Sequence, residues 1–406
     1  MNKTAQEDAS IRSLPQPDDG YYSCRWLEGG LCFSIGSLRA CAEIHHGRGE
    51  PKLMDYAGGP LDFSAIRRAK DEIHRQNQQG GRPACRDCPN LLFRRWPERS
   101  GKFDWIGITH DARCNLECNY CWLQWADYAP RHDPAPYRDA RYSVLSPIRE
   151  LFEEDLVESG ALIDWGGGGE PTLFGELAEL LTEFSRRKYT QWLHTNGVRI
   201  PAPILDGLID CSNVHILCSV DAGAAETYRR MKKRDEYRTV WRNLLLYRRR
   251  GTHVVVKYIV TDENCSLKEI RSFIQDALRH GRPDILADID HRYPDINFAI
   301  LAGLAFMKLS AWSSGLNFAV GETGCDSYPE KQIPLLVERS FRSQWPSGLA
   351  EWSYRFRWKR RMGPLLRTLA RGSARVYEFF AERAARSTNH THSEMQKNVE
   401  TRTIFR

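Results

Sequence analysis

The sequence predicts an α/β fold in which a parallel sheet is covered by helices. Between residues 105 and 311, short apolar runs rich in β-branched residues alternate with longer segments that have the apolar spacing of a helix. Six strand and helix units follow one another in this alternation. Because a pair of parallel strands needs a crossover that is usually a helix, the pattern favours a parallel sheet.

The predicted elements follow one another along the chain from residue 105. The strands are predicted at residues 105–110, 161–165, 191–194, 214–220, 253–260 and 284–289. The first helix is predicted to open at Ser146 and Pro147 and to end near Gly160. The later helices are predicted at residues 174–187, 204–209, 237–249, 266–280 and 295–311, with Ser266 and Glu269 as a capping box. A further strand is predicted at residues 316–320.

A group of three cysteines, Cys114, Cys118 and Cys121, lies directly after the first predicted strand. Three thiolates leave one iron of a four-iron cluster without a protein ligand, whereas a closed structural site needs a fourth ligand close by. A substrate or cofactor can bind such an open iron. Taken alone, the three cysteines could also be half of a zinc site, which is the alternative at this point.

The spacing of these cysteines, with the aromatic Tyr120 before the last one, resembles the cluster loop of the radical S-adenosylmethionine (SAM) superfamily. The resemblance implies a [4Fe-4S] cluster whose open iron chelates the amino and carboxylate groups of SAM, with Tyr120 among the cofactor-binding residues. It also implies reductive cleavage of SAM to a 5'-deoxyadenosyl radical, which abstracts hydrogen from a substrate. The fold that it implies is a partial TIM-like (β/α)6 barrel, in agreement with the six units.

Glycines and a glutamate follow the second predicted strand, at an edge of the sheet where ligands of parallel sheets collect. Gly168, Gly169 and Glu170 resemble the GGE segment of the family, which holds the SAM amino group. Glycines let the backbone approach a ligand closely and expose amides that can bind a polar group. Alone, a glycine run is as often a tight turn.

Polar residues also follow the third and fourth predicted strands. Thr195 and Asn196 are similar to a TNG segment that is common in the family. Ser219 and Asp221 lie where relatives often present a polar residue to the ribose or to the methionine carboxylate. Each segment alone is ordinary loop chemistry, but the four matches at successive strand ends together support SAM binding.

Five cysteines precede the cluster loop, namely Cys24, Cys32, Cys41, Cys85 and Cys88. In a reducing compartment they indicate metal or thiol chemistry rather than disulfides. A β-hairpin that ends in a cysteine, then a helix and a CxxC segment, resembles the auxiliary-cluster modules called SPASM or twitch domains. In most relatives this module follows the barrel, whereas here it precedes the barrel.

The resemblance implies four cysteine ligands for a second [4Fe-4S] cluster. Cys41, Cys85 and Cys88 are three of them. Cys24 is favoured as the fourth because Cys32 lies where a strand residue would point into a core. Zinc in place of the cluster remains an alternative, and so does a role for Cys24 or Cys32 as a small buried hydrophobe. The hairpin is predicted to turn near Gly36.

Several residues are candidates for the substrate side of the site. Asp288, Asp290 and His291 end the sixth predicted strand, where acid and imidazole groups can bind or deprotonate a substrate. Cys325 lies in a later glycine-containing loop, and in relatives that invert stereocentres a lone cysteine returns a hydrogen atom to the substrate radical. Lys257 lies inside an apolar strand, where we expect it to meet a carboxylate because lysine is rarely buried without a partner. Solvated loop polarity is the alternative for the acidic and histidine residues. For the cysteine, the alternatives are an ordinary loop thiol and an extra cluster ligand.

The two ends of the chain differ from its centre. Residues 331–406 hold 16 lysines and arginines against 6 aspartates and glutamates, so the net charge of +6 comes from this basic end. Its aromatic and arginine-rich part, residues 352–361, predicts contact with a membrane surface or nucleic acid, the alternative being a solvated helix face. We expect disorder at residues 1–20 and 387–406. No run approaches about 18 apolar residues and no signal segment is recognisable, so we expect a cytoplasmic protein.

These observations predict five segments. They are a disordered start at residues 1–20, the cysteine-rich module at 21–100, the barrel at 101–325, a basic helical extension at 326–386 and a disordered end at 387–406. Residues 127–142, rich in proline, aspartate, arginine and tyrosine, are predicted to form a loop or lid over the cluster.

The predicted function is that of a radical SAM enzyme with a peptide or protein substrate, in maturation, cross-linking or epimerisation. Its electron donor would be a protein such as flavodoxin or ferredoxin. The alternatives are a sugar, nucleoside or lipid-linked substrate and, in another class, a zinc or iron-sulfur protein that binds nucleic acid without catalysis. The peptide substrate rests on the resemblance to the auxiliary-cluster modules, which is an analogy.

Overall fold

The computed structural model describes residues 20–41, 51–80, 85–86, 88, 90–97, 100–121, 142–166, 168–289 and 298–320. Asp290, His291 and Cys325, three of the predicted substrate-side residues, lie outside these ranges. So do the basic extension and all but the last residue of the predicted lid. In the part of the chain that the structure describes, no helix combines the length and the apolar character needed to cross a membrane.

The strands and helices are numbered along the chain. The strands are β1 (Tyr21–Ser23), β2 (Gly30–Ser34), β3 (Ser37–Arg39), β4 (Lys52–Asp55), β5 (Leu92–Arg94), β6 (Phe103–Thr109), β7 (Val157–Trp165), β8 (Thr190–Thr195), β9 (Val214–Ser219), β10 (His253–Val260), β11 (Asp284–Ile289) and β12 (Phe318–Val320). The helices are α1 (Arg25–Gly29), α2 (Phe63–Gln78), α3 (Leu145–Glu153), α4 (Leu177–Arg186), α5 (Ala202–Leu205), α6 (Ala225–Lys232), α7 (Tyr237–Arg249), α8 (Leu267–Arg279) and α9 (Phe298–Ser313).

One sheet dominates the described residues and has the strand order β12-β11-β10-β9-β8-β7-β6-β2-β3-β4. All neighbours from β6 to β12 are parallel. A helix follows each strand from β6 to β11, as a parallel sheet requires. These six units form the predicted partial TIM-like barrel, so the fold class is confirmed. The seventh parallel strand, β12, is also confirmed.

Several predicted boundaries are confirmed, but the first helix is not. Strands β10 and β11 and helix α7 have the predicted bounds. Helix α3 instead begins at Leu145 and ends at Glu153, well before Gly160. Asp155, at φ +52°, follows its end, and the Leu156 amide donates to the Leu151 carbonyl over 2.8 Å. Glycine is the usual residue at such a left-handed helix end. The sequence analysis therefore placed the end of the helix at Gly160 and not near Asp155.

The segment before α7 contains a helix that the sequence analysis missed. Helix α6 ends at Lys232 and is followed by Lys233, which has φ +59°. The predicted capping box of α8 is only half formed, because Ser266 accepts from the Glu269 amide over 3.3 Å while the Glu269 carboxylate bonds elsewhere. That carboxylate accepts from the backbone amides of Gly223, over 2.7 Å, and Ala224, over 3.0 Å. Glu269 therefore holds the loop between β9 and α6.

The N-terminal region joins the barrel sheet. The predicted hairpin is confirmed, with β2 and β3 connected through Gly36 at φ +67°. Strand β2 also pairs in parallel with β6 along its whole length. Only β1 and β5 form a separate two-stranded sheet. The predicted boundary near residue 100 thus does not separate two sheets, because backbone pairing of β2 carries the main sheet across it.

The barrel strands bury two different faces. One face packs against the helices in the main core, with side chains such as Leu193, Ile216 and Val256 fully buried. The opposite, inner face carries a second apolar cluster that includes two tryptophans. We call it the middle layer; it consists of Cys32, Trp105, Leu162, Trp192 and Leu217, with Val255 and Leu286 packed against it. Side chains two positions away along each strand share this inner face.

The helix-facing core should dominate stability. Leu193 is 0% exposed in it, whereas Leu208 is 70% exposed. We expect Leu193→Ala to lower the free energy of unfolding by about 2–5 kcal/mol, since it leaves a cavity. Leu208→Ala, the same truncation at the surface, should change it by less than about 0.5 kcal/mol. Urea unfolding followed by circular dichroism measures both, and equal effects would contradict this assignment of the core.

Candidate functional site

Glu170 joins the loops at the carboxyl ends of three strands through its carboxylate and its backbone amide. It is buried, and Oε1 accepts from the Thr172 amide over 3.1 Å and from the Thr172 and Thr195 hydroxyls over 2.7 Å each. Oε2 accepts from the Asn196 amide over 2.7 Å. The Glu170 amide donates to the Arg113 carbonyl over 2.7 Å. The loops after β6, β7 and β8 are therefore tied together through one side chain and its backbone.

Burial raises the pKa of Glu170 above its usual range, although the hydrogen bonds from Asn196, Thr172 and Thr195 favour the ionised form. Removing a carboxylate from water is costly unless it is hydrogen-bonded. The four donors therefore explain how this side chain is accommodated, and they make the loop arrangement specific to glutamate.

Gly169 brings the glycine loop against the cluster loop. It has φ +79°, and a Cβ atom there would lie 2.3 Å from the Asp111 carbonyl oxygen and 2.8 Å from that of Arg113. Neither the conformation nor the space allows a side chain. Gly168, the other predicted glycine, is buried beside it. The two loops thus touch backbone to backbone.

Asn196 connects the third loop to the first predicted cluster ligand. Its Nδ2 lies 3.8 Å from Cys114 Sγ and donates to Asn115 Oδ1 over 2.7 Å. The Leu116 amide also lies 3.4 Å from Cys114 Sγ. Donors aimed at a cysteine sulfur are a feature of iron-sulfur sites, where they tune the cluster potential. The structure thus brings Glu170, Thr195, Asn196 and Cys114 together.

The three cysteines of the cluster loop are the candidate ligands of the iron-sulfur cluster, and they differ in exposure. Cys114 is exposed, and Cys118 and Cys121 are partly buried. Among the described residues, no three cysteine, histidine or acidic side chains converge closely enough to hold one metal ion. A four-iron cluster does not require such convergence, because each thiolate binds a different iron. Three solvent-accessible thiols with amide donors to one sulfur are a suitable donor set.

The second half of the cluster loop docks onto the end of helix α6. The amides of Glu117 and Asn119 donate to the carbonyls of Lys232, over 3.2 Å, and Met231, over 2.9 Å. These carbonyls are among the last of the helix and lack partners within it. Glu263 also binds the Asn119 side chain over 2.7 Å. The position of Cys118 and Cys121 therefore depends on a helix that the sequence analysis missed.

A buried group of three polar side chains lies beneath this contact. The Tyr120 hydroxyl and the Lys232 ammonium both bond to Asp221 Oδ2, the ammonium over 2.6 Å, and they contact each other. Asp221 is 0% exposed and the Lys232 side chain 2%. Burial would lower the pKa of Lys232, but Asp221 and Tyr120 raise it well above its usual range, so the ammonium stays charged.

These contacts give Tyr120 and Asp221 a setting different from the predicted one. Both were predicted to bind the cofactor, yet their polar atoms are engaged with each other and with Lys232 in the protein interior. Asp221 Oδ1 also accepts from the Ile259 amide over 2.6 Å. Lys232 was overlooked because a lysine at the end of a basic segment is usually solvated. In the sequence, the one indication of this role is that Lys232 ends the helix that follows Asp221.

The inner face of the barrel becomes polar towards the cluster loop. Two residues beyond the middle layer, each strand from β7 to β11 carries a polar side chain; this upper layer consists of Asp164, His194, Ser219, Lys257 and Asp288. It contains two ion-pair contacts. His194 Nε2 lies 3.1 Å from Asp164 Oδ1, and Lys257 Nζ lies 3.1 Å from Asp288 Oδ2. The predicted carboxylate partner of Lys257 is thereby confirmed.

The upper layer includes two residues that the sequence analysis did not select. Asp164 and His194 are partly exposed, with 27% and 35% of their side-chain surfaces accessible. A Cβ atom at Gly166 would lie 2.4 Å from the Cβ of His194, so the glycine makes room for the imidazole. The period-two alternation along β7 and β8 was the signal that could have found them.

The N-terminal cysteines separate into two locations. Cys24 caps helix α1 and lies close enough to Cys85 and Cys88 for their thiols to influence it. Burial, with a smaller contribution from those two thiols, raises the pKa of Cys24 to about 12. Cys32 is 1% exposed in the middle layer, 3.8 Å from the Thr109 hydroxyl. Cys41 follows Ala40, which packs in one small cluster with Cys24 and Cys85.

Comparison with known families gives one match. Residues 108–277 match the family described as the radical SAM superfamily. This range begins in β6 and ends in α8, so it includes the cluster loop, the glycine loop and the Asn196 loop. No curated protein sequence matches the chain.

Solved structures match parts of the chain at low sequence identity. SuiB of Streptococcus suis matches with a TM-score of 0.40 and 13% identity over 66% of this chain and 56% of SuiB. AnSMEcpe with bound AdoMet matches with a TM-score of 0.38 and 16% identity, over 52% of this chain and 62% of anSMEcpe. A radical SAM methyltransferase from Sphaerobacter thermophilus matches with a TM-score of 0.36 and 14% identity, over 52% and 63%. This chain thus spans less than two thirds of these proteins.

The buried contact between Lys232 and Asp221 should be important for stability. Lys232→Met leaves a buried carboxylate without its cation, and we expect the free energy of unfolding to fall by about 3–5 kcal/mol. The control is Lys233→Met at the adjacent exposed lysine, which should change it by less than about 0.5 kcal/mol. Adding Asp221→Asn to Lys232→Met should recover part of the loss. Urea unfolding measures each variant, and equal effects at the two lysines would refute the pairing.

Proposed function

We propose that this chain is a radical SAM enzyme, since residues 108–277 match that superfamily, that Cys114, Cys118 and Cys121 hold a [4Fe-4S] cluster and that the loops tied by Glu170 hold SAM. When bound, the cluster and SAM supply the 5'-deoxyadenosyl radical that abstracts hydrogen from substrate. The single observation that carries this proposal is the position of Glu170, whose amide bonds to the loop after β6 and whose carboxylate joins the loops after β7 and β8.

The residues around Glu170 have distinct roles in this proposal. Gly168 and Gly169 bring the glycine loop against the cluster loop, where their backbone carbonyls would accept from the SAM amino group. Asn196 orients Cys114 through its amide, 3.8 Å from the sulfur. Ser219, which is partly exposed in the upper layer, contacts the ribose or the carboxylate of SAM. Glu170 itself positions these loops and contributes its remaining acceptor capacity to the SAM amino group.

Asp221 and Tyr120 act differently from the predicted direct contact. Their polar atoms bond to each other and to Lys232, so we propose that they position the cluster loop. The phenol stays protonated because burial and the Asp221 carboxylate raise the pKa of Tyr120 well above its usual range. The side chain before Cys121 is therefore held from below by a fixed network of hydrogen bonds.

The upper layer is the proposed floor of the substrate site. The middle layer, with Trp105 and Trp192, closes the barrel beneath it, so a substrate that enters from the cluster side stops at the polar residues. His194, held by Asp164, can exchange a proton with the substrate, since a neighbouring carboxylate orients the imidazole. Lys257 on β10 and Asp288 on β11 lie further along the sheet and can bind a charged group of the substrate.

The proposed substrate is a peptide or protein, and the proposed second cluster has the ligands Cys24, Cys41, Cys85 and Cys88. The packing of Cys24 and Cys85 against one small cluster, while Cys32 lies in the middle layer, supports this ligand set over one with Cys32. That cluster would anchor the substrate or accept an electron after hydrogen abstraction.

We propose a small electron-transfer protein such as flavodoxin or ferredoxin as the reductant. We also propose that the basic C-terminal extension contacts a membrane surface or nucleic acid.

Anaerobic reconstitution tests the catalytic assignment. With both clusters in place, the protein should bind roughly eight irons and release 5'-deoxyadenosine from SAM after reduction with dithionite. Cys118→Ala should lose this cleavage, because the cluster lacks a ligand. The control is Cys211→Ala, a buried cysteine away from these loops, which should cleave SAM like the unchanged protein. Bound zinc without 5'-deoxyadenosine would refute the enzyme and favour a binding protein.

The auxiliary cluster has a separate test. Cys85→Ala should lower the iron content by roughly four per chain, while Cys32→Ala should leave it unchanged, because Cys32 lies in the middle layer. Iron and zinc are measured by plasma mass spectrometry after reconstitution. A loss of iron in Cys32→Ala would move the fourth ligand from Cys24 to Cys32. If zinc rather than iron falls in Cys85→Ala, the site is a zinc site.

A further inference from the structure

The amino-terminal end of the barrel carries a polar group that the proposed function does not use. Two residues before the middle layer, strands β9, β10 and β11 present His215, His253 and Asp284 on the inner face. This end is opposite to the cluster loop, which follows the carboxyl end of β6. The two histidines are directly opposite each other in the parallel pairing of β9 and β10.

The two imidazoles face each other through their Nδ1 atoms. His215 Nδ1 lies 3.1 Å from His253 Nδ1, and His253 Nε2 lies 2.9 Å from Asp284 Oδ2. Asn317 donates to Asp284 Oδ1 over 2.8 Å. Because Nε2 of His253 donates to the carboxylate, its Nδ1 carries a lone pair on the side of the ring that faces His215.

We propose that His215 and His253 form a binding site for a divalent transition metal such as Zn²⁺. Two nitrogens 3.1 Å apart can both lie about 2.05 Å from one ion, at an angle of about 98°. The Asp284 carboxylate behind His253 is the partner that metal-bound histidines usually have, because it fixes the tautomer and orients the ring. Water completes the coordination, since the His253 side chain is 43% exposed.

A neighbouring aromatic ring holds the His215 imidazole in place. Trp192 stacks on His215 with 4.8 Å between ring centroids and an angle of 16°. Without a metal, His215 donates its Nδ1 proton to His253. On metal binding that proton moves to Nε2 of His215, so the site loses no proton.

The proposed site has a structural consequence. A metal held by His215 and His253 links β9 to β10, and Asp284 extends the link to β11. These three strands also carry Ser219, Lys257 and Asp288 at their other ends. The metal therefore stabilises the strands that support the substrate side without taking part in the chemistry. The inference does not depend on the proposed function.

Zinc binding by the reconstituted full-length protein tests the inference. With the cysteines occupied by iron-sulfur clusters, equilibrium dialysis against Zn²⁺ should give one zinc ion more for the unchanged protein than for His215→Gln or His253→Gln. Asp284→Asn should keep that ion but bind it 10- to 100-fold more weakly, as for other partners of metal-bound histidines. The control His280→Gln, a histidine bonded to the Asp276 carbonyl, should match the unchanged protein.

Equal zinc content in His215→Gln, His253→Gln and the unchanged protein would overturn the inference. Zinc K-edge absorption of the unchanged protein decides the matter even if a variant fails to fold. Two imidazole ligands per added zinc support the site, whereas sulfur ligands alone refute it. Release of 5'-deoxyadenosine by the His215→Gln protein should equal that of the unchanged protein. A loss of SAM cleavage in every sample would refute the proposed function and leave the zinc result intact.

Discussion

The site depends on one buried carboxylate. Glu170 accepts four hydrogen bonds from residues of two loops, and its own amide donates to a third. A carboxylate that is removed from water is tolerated only with such partners, because its desolvation is costly. The hydrogen bonds therefore define one arrangement of the loops after β6, β7 and β8. That arrangement brings Asn196 to Cys114 and presses Gly169 against the cluster loop, so the geometry of the proposed SAM site follows from it.

A second buried network holds the other half of the cluster loop. Lys232 and Asp221 form a charge pair in the protein interior, and Tyr120 completes it from the cluster loop. Buried pairs of this kind contribute little net stability compared with apolar packing, but removal of one partner is strongly destabilising. We therefore interpret the network as a device that fixes the position of Cys118 and Cys121 relative to helix α6. The two networks together hold the loop from opposite ends.

The polar side chains on the inner face of the barrel lie at the two opposite ends of the strands. An apolar middle layer with two tryptophans separates a polar upper layer beside the cluster from a polar lower group at the other end. Strand geometry produces this pattern, because side chains two positions apart share a face and neighbouring parallel strands are held in register. The proposed substrate chemistry and the proposed metal site therefore occupy opposite ends of the same strands. Neither interferes with the other.

The sequence alone determined the parallel α/β fold, the cluster loop and the polar strand ends, because periodicity and motif spacing are local properties of the chain. It did not reveal helix α6, whose left-handed end at Lys233 is not a glycine. Nor could it pair Lys232 with Asp221 or His215 with His253, since these contacts depend on register and on the path of the chain between strands. Asp221 shows the difference: its position after a strand was readable, but tertiary packing decided that its carboxylate faces a buried lysine. Local patterns thus fix which elements form, whereas the partners of buried charged groups are chosen by long-range packing.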